Sequence, residues 1–327
     1  MRIGIDTFTI RELNKTPYEE LDYIKCLGFE GAQFGQVRGL SATLDPGELK
    51  ALDAYAKSQG LYLYSSVPPF NAVMYDGPYE TLRDEIASQL RAAAAVGWRE
   101  LHSFICYGTE RYIHAVPWRE HVNSAIRLFQ DLGGLMRELG CRVNLETHGE
   151  ATFDVLRVIE AVGDDVCGVC LDTANTLVNA EDPVLAARRV APYTHLTHLK
   201  DGLVYFSANG VMRQGKPPGQ GSVDFEQVLP ILGQYQPDLP LSIEDHKWLF
   251  EAKIFDEEWI ACNPELTPVE LGRFVKLAWE GQQKICRGDV PAPDAYEAIA
   301  YLNQMGDRLT FGREYLRKIL AKYNLSR

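Results

Sequence analysis

The sequence has little that would place a chain in a membrane, on nucleic acid or outside the cell. No run of about 18 apolar residues occurs in its 327, so no membrane-spanning helix is expected. Met1-Arg-Ile-Gly-Ile-Asp6 lacks the long apolar core of a signal peptide. Basic residues are in the minority, 33 against 45 acids, and the net charge of −12 argues against a nucleic-acid partner. The seven cysteines are irregularly spaced, and Cys26, Cys141, Cys167 and Cys170 have apolar neighbours. Reduced, buried thiols in a cytoplasmic protein are expected. Three common motifs are missing as well. No G-x-G-x-x-G follows the first strand-like run, which passes into Asp6-Thr-Phe-Thr-Ile-Arg11. Gly215-Lys-Pro-Pro-Gly-Gln-Gly221 lacks the Lys-Ser/Thr ending of a phosphate loop and reads as a turn-rich flap. Cys167-Gly-Val-Cys170 has no second pair, so it reads as core thiols.

What the chain does have is alternation. Strand-like runs lie at Ile3–Ile5, Gly31–Phe34, Leu61–Val67, Glu100–Ile105, Arg142–Leu145, Gly168–Leu171, Thr194–Leu199 and Leu241–Ile243. Between and after them come eight segments of helical period: Tyr18–Leu27, Pro46–Gln59, Tyr79–Val96, Trp118–Leu139, Phe153–Val162, Pro183–Val190, Phe225–Leu232 and Pro268–Trp279. Pro46, Pro183 and Pro268 suit a first helical turn, and Gly28, Gly60, Gly97 and Gly140 suit the position just past a helix. Eight strand–helix units predict parallel strands closed into an α/β (β/α)8 TIM barrel over residues 1–280, with a doubly wound open sheet as the alternative. Residues 281–327 are expected to form a C-terminal helical extension, Tyr296–Met305 and Arg313–Tyr323, packing its apolar stripes on the barrel or on a partner. Three long connections, Cys106–Pro117, Lys200–Val223 and Asp245–Leu266, are expected as loops on the face where barrel active sites are built.

Four of the strand-like runs end in a metal-ligating side chain. Glu146, Asp172, His198 and Glu244 fall at or just past the ends of strands five to eight, and consecutive barrel strands are adjacent. Three carboxylates and one imidazole make a hard, oxygen-rich site, suited to one divalent metal such as Mn²⁺, with Mg²⁺ or Co²⁺ also suitable. Each acid taken alone reads equally well as a solvated loop start or a helix cap; four in order do not. His148 stands two residues after Glu146, so an extended backbone points both to one side. It is either a general base or a hydrogen-bonding support for a ligand carboxylate. Asn175, His195, Arg213, His246 and Trp248 complete the candidates for substrate contact. His195 also reads as a packing residue, three positions from His198 and on the other side of its strand, and Arg213 as an exposed loop residue.

Leu145-Glu-Thr-His148, Leu171-Asp-Thr-Ala-Asn175, His195-Leu-Thr-His-Leu-Lys-Asp201, Pro218-Gly-Gln-Gly-Ser-Val-Asp-Phe225 and Ser242-Ile-Glu244 together resemble the xylose-isomerase-like TIM-barrel superfamily over roughly residues 1–280. That superfamily contains sugar isomerases, sugar 3-epimerases and inosose-processing enzymes. The resemblance implies that Glu146, Asp172, His198 and Glu244 bind one metal, and that the two glutamates exchange protons with carbon beside a carbonyl. The implied substrate is a small sugar or sugar-derived ketone. One departure stands out: epimerases of the group carry a histidine three residues after the strand-six aspartate, where this chain has Asn175. The chain also looks similar to the catalytic subunit of C-glycoside deglycosidases, in which a base histidine comes just after the strand-five glutamate. That likeness implies β-elimination from 3-oxo-C-glycosides and assembly with a small second subunit, as against a homo-oligomer. A three-zinc DNA-repair endonuclease would need further ligands on strands two to four and a basic face. A barrel that only binds would not need the ligand quartet.

Overall fold

The computed structural model describes residues 1–108 and 110–325. Eight parallel strands close into a barrel: β1 (Arg2–Asp6), β2 (Gly31–Gln36), β3 (Tyr62–Ser66), β4 (Glu100–Ser103), β5 (Arg142–Glu146), β6 (Cys167–Asp172), β7 (Thr194–Leu199) and, after two further strands, β10 (Pro240–Ile243). Around the barrel the order is β1-β10-β7-β6-β5-β4-β3-β2, closed where Ile3 pairs with Leu241. The open-sheet alternative is thereby excluded. Helices begin where cap residues dictate. Thr16, Asp45, Asp182 and Thr267 each accept a backbone N–H at a helix start, and each precedes a proline whose missing N–H costs nothing there. The lower end of the barrel is filled by the Tyr62 ring. A Cβ at Gly4 or Gly31 would overlap it, so those two glycines are what let an aromatic side chain occupy the axis.

Two expectations fail. The stretch Lys200–Val223 is not the long loop expected. It folds into an antiparallel hairpin, β8 (Asp201–Phe206) and β9 (Val211–Lys216), and β11 (Leu249–Ala252) adds to β9. The Gly215 end of the expected flap is strand, and the chain turns only after Lys216. Asp201 fixes that turn by accepting four backbone N–H groups, from Gly202, Gly219, Gly221 and Val223. The second failure is the helix expected at Tyr296–Met305. The chain forms a short helix at Pro293–Glu297, one 3₁₀ turn at Tyr301–Asn303 and a long helix at Met305–Lys322. The break is held by side chains that capture backbone carbonyls. Lys247 Nζ donates to Tyr296 O and Ile299 O (2.5 and 2.6 Å), and Gln304 Nε2 donates to Ile299 O (3.0 Å). Ile299, Ala300 and Leu302 are therefore exposed, as is Phe311, whereas Tyr296, Leu316, Ile319 and Leu320 are buried. The long helix lies against the helix Phe225–Tyr235 and the β1–β10 edge.

Among the described residues no helix is long and apolar enough to cross a membrane.

Candidate metal centre and cavity

β5 and β6 deliver their ligands from the last strand residue, β7 from the one before its last, and β10 from one residue past its end. Glu146, Asp172, His198 and Glu244 are all buried, and one ligand atom from each lies within 4.8 Å of the others. The parallel register explains the convergence, since Asp172 pairs with His198 and His198 with Ser242. Asp172 is oriented by its own loop: Oδ1 accepts from the N–H groups of Ala174 (2.9 Å) and Asn175 (3.0 Å). Its Oδ2 is left facing the centre. His198 Nδ1 lies 2.8 Å from Glu244 Oε2 and 3.2 Å from Glu146 Oε1. Asp172 Oδ2, His198 Nδ1 and Glu244 Oε2 are all fully buried, yet none makes an aligned hydrogen bond. Close approach without directional partners is costly unless something else satisfies those lone pairs. Three convergent oxygen and nitrogen ligands without aligned hydrogen bonds suit a small divalent cation.

The charges are strongly coupled. Burial pushes Glu146 and Glu244 up, but His198 with His148, and Lys200 with His198, respectively hold them well below the ordinary carboxylate range. Burial raises Asp172, with Lys200 opposing it. Burial works against His198 too, but Cys170, Glu146 and Glu244 keep its imidazole well above the usual value.

Sequence reasoning missed several side chains that crowd this centre. His102 on β4 points inward, with Nε2 3.0 Å from Glu146 Oε2. With Cys170 and His198 it forms a second buried trio whose ligand atoms lie within 4.8 Å of one another, so Cys170 is a barrel-interior thiol and not simple core packing. The Gln33 amide is 2.5 Å from His198 Nε2, and Asp6 Oδ2 is 3.4 Å from it. Lys200 brings its ammonium to 2.8 Å from Asp172 Oδ2 and 3.0 Å from Glu244 Oε2. A signal for Lys200 was present, since it stands two residues after His198 and strand alternation puts both on one side.

His148 lines the cavity above the quartet. Its Nδ1 is 2.9 Å from Cys106 O, and a carbonyl only accepts, so in the neutral ring Nδ1 carries the proton and Nε2 the lone pair. Glu150 sets this geometry: Oε2 accepts from His148 N (3.1 Å) and Gly149 N (2.8 Å), and Oε1 accepts from Cys106 N (2.8 Å) and Ile105 N. One carboxylate thus clamps the loop after β4 to the loop after β5. Burial pushes that carboxyl up to about 7, against His148 and the backbone donors.

Of the residues expected to touch substrate, four are near. Asn175 donates to Glu146 Oε1 (3.3 Å) and accepts from Arg213 Nη2 (3.5 Å). Arg213 is not an exposed loop residue: β9 buries it with the guanidinium over the Phe250 ring, and Nε and Nη1 lack hydrogen-bond partners. Burial lowers its pKa to about 10. His246 is buried, 3.8 Å from Glu244 Oε1, and Trp248 packs on it with ring centroids 4.3 Å apart. His195 is the exception. It sits at the start of β7, Nε2 2.5 Å from Arg142 Nη1 at the start of β5, at the end of the barrel opposite the quartet. Two strand residues intervene between it and His198, which sets roughly 10 Å of rise between them and places His195 out of reach.

The cavity over the quartet has a volume of about 610 Å³. Its floor is polar and its walls are rings. Phe8, Trp248 and Phe250 rise beside β1 and β10, and Phe104, Tyr107 and His148 rise beside β4 and β5, on the opposite side of the closed strand order. Phe104 packs on Tyr107 and His148 at 4.8 and 5.2 Å, and Phe8 on Trp248 at 5.7 Å.

Three solved structures share this architecture. D-psicose 3-epimerase with D-tagatose, from Clostridium cellulolyticum H10, is 13% identical at a TM-score of 0.62, over 87% of this chain and 99% of that one. The 3-keto-D-glucoside 4-epimerase from E. coli, apo form, is 16% identical at 0.56, over 84% and 99%. The IOLI protein, solved with a zinc atom, is 15% identical at 0.57, over 84% and 99%. No curated protein matches the sequence. Residues 21–258 match the family described as xylose isomerase-like TIM barrel. With most of its length covered by that match, the chain belongs to the xylose isomerase-like TIM-barrel family.

Proposed function

We propose that the protein is a divalent-metal-dependent enzyme that moves a proton at the carbon beside the carbonyl of a sugar or sugar-derived ketone. The observation that carries this reading is the buried quartet Glu146, Asp172, His198 and Glu244, with three ligand atoms that lack aligned partners. These four residues would hold the ion, Mn²⁺ best matching the oxygen-rich set, with Mg²⁺ or Co²⁺ as substitutes. A divalent ion there supplies positive charge to stabilise negative charge building on the carbonyl oxygen. The rest falls to the chain. Lys200, on the cavity wall, offers a hydrogen-bond donor to substrate oxygens, Arg213 donates to Asn175, Asn175 fixes Glu146, and the ring walls exclude water. Glu146 and Glu244 stand where they can take and return a proton, and return to the same or a neighbouring carbon gives epimerisation or isomerisation. Sugar epimerases among the similar folds, one of them acting on a keto-glucoside, support the substrate class.

A second reading is favoured by His148. Its Nε2 lone pair faces the cavity and belongs to no ligand of the quartet, so it is a better base than a carboxylate held by a cation. On a 3-oxo-C-glycoside, His148 would take the C2 proton. The electrons left at C2 form the new double bond, the bond from C1 to the aglycone breaks, and the aglycone carbon leaves with that pair and is then protonated. Asn175 in place of the epimerase histidine and the two ring walls agree with this version. The experiment is metal analysis and then a screen of ketoses, inososes and 3-oxo-glycosides in deuterated water. Deuterium entering beside the carbonyl supports the proposal. A stable protein with bound metal and no exchange on any of them would leave a barrel that binds without catalysing.

A further inference from the structure

Lys200 stands beside the quartet in a place that packing does not explain. It is only 3% exposed, an ammonium is expensive to bury, and its backbone is tied on both sides by Thr173, whose Oγ1 donates to Lys200 O (2.5 Å) and accepts from Lys200 N (3.1 Å). From that fixed backbone the side chain reaches Asp172 Oδ2 and Glu244 Oε2. Those are two of the three ligand atoms of the quartet that make no aligned hydrogen bond. An ammonium and a divalent ion thus claim the same oxygens. The two cannot both take them closely, since like charges a few ångströms apart in a buried site repel strongly.

We propose that Lys200 is a stand-in cation: it neutralises Asp172 and Glu244 when no metal is bound, and is displaced from them as metal enters. The inference rests on the metal reading given above. Charge counting supports it. Three carboxylates, one ammonium and one divalent ion beside a neutral His198 sum to zero. Without the ammonium the loaded centre keeps a net negative charge and holds its ion harder. Without the ion, Lys200 still offsets part of the negative charge on Asp172 and Glu244, so the carboxylates do not force the barrel end apart. Lys200 therefore sets a moderate metal affinity, so that the ion exchanges with its surroundings. It also stays on the cavity wall once displaced, within reach of substrate oxygens.

The test is Lys200→Met, which keeps the length and removes the charge, with Mn²⁺ and Co²⁺ affinity measured by calorimetry and melting measured with and without ion. Affinity is expected to rise on the order of tenfold or more. Melting temperature is expected to fall in chelator and recover with metal. Lys200→Arg, which keeps the charge, should bind metal as the parent does. Unchanged or weaker affinity in Lys200→Met, or equal loss of stability with and without ion, overturns the proposal. If that variant does not fold at all, reductive methylation of the parent read by mass spectrometry decides the matter. Lys200 should label faster once Mn²⁺ is added, and equal or slower labelling overturns the idea. A parent protein that binds no divalent ion sinks the metal reading itself. A parent that binds metal beside an unaltered Lys200→Met sinks only this inference.

Discussion

Glu244 and Asp245 are neighbours in the chain and both are buried, but the fold treats them in opposite ways. Asp245 turns outward under the C-terminal extension. Both its oxygens are matched by Arg308, Nε to Oδ2 at 2.6 Å and Nη2 to Oδ1 at 2.5 Å, while its backbone carbonyl accepts from Tyr301 OH at 2.9 Å. Glu244 turns inward, and its Oε2 sits among His198 and Lys200 without an aligned hydrogen bond. The same functional group, one residue apart, is closed off by a bidentate partner in one case and left open in the other. Burial alone therefore does not distinguish the two carboxylates; the geometry of their partners does.

The sharpest way to break this contrast is to disable the open side. Asp172→Asn or His198→Ala should lower bound metal from about one ion per chain to near none and abolish turnover, as judged by elemental analysis beside an activity assay. Stoichiometric metal in both variants would show that the quartet is not the ligand set. Next in size is Glu244→Gln, which should keep much of the metal and lose turnover by about 10² or more, the usual cost of removing a proton-transferring group. His148→Gln comes third. With metal occupancy unchanged, it should cut elimination from a 3-oxo-C-glycoside by about 10² while leaving ketose epimerisation intact. Loss of both reactions would tie His148 to the quartet instead. The closed side is tested by Arg308→Ala. Removing one member of a buried pair strands the other, so the protein should lose about 3–5 kcal/mol of stability in denaturant unfolding. Metal binding by the folded fraction should not change, and a parallel loss of metal would mean that the two carboxylates are not independent.

Much of the molecule is legible in its sequence, for reasons that differ from residue to residue. The barrel can be read because each strand–helix unit carries its own period and its own cap, as at Thr16-Pro17 and Asp45-Pro46. The quartet can be read because its members fall within one residue of four successive strand ends, where the chain turns polar. His102 is hidden because nothing in its own run names a partner, and it meets Glu146 only through the β4–β5 register, which sets His102 opposite Asn144. Lys200 escapes notice because a lysine beside an aspartate looks like solvated surface until its neighbours are known. The β8–β9 hairpin does announce itself. Asn209-Gly210 between Leu203-Val-Tyr-Phe206 and Val211-Met212 is a hairpin signal, but the glycines and prolines of residues 215–221 mask it. The exposure of Ile299 and Leu302 cannot be foreseen, because it depends on Lys247, some fifty residues away in the chain, capturing their helix's carbonyls.

Glu150 has a mechanical consequence. It binds two amides of the loop after β4 and two of the loop after β5, all in a buried place. Parting the loops would strip both sides of their partners at about 1–3 kcal/mol for each stranded group. The loops are therefore hinged as one piece. Phe104 and Tyr107 of one cavity wall and His148, the proposed base, are thereby tied into one unit, so that a change in either loop is passed to the other.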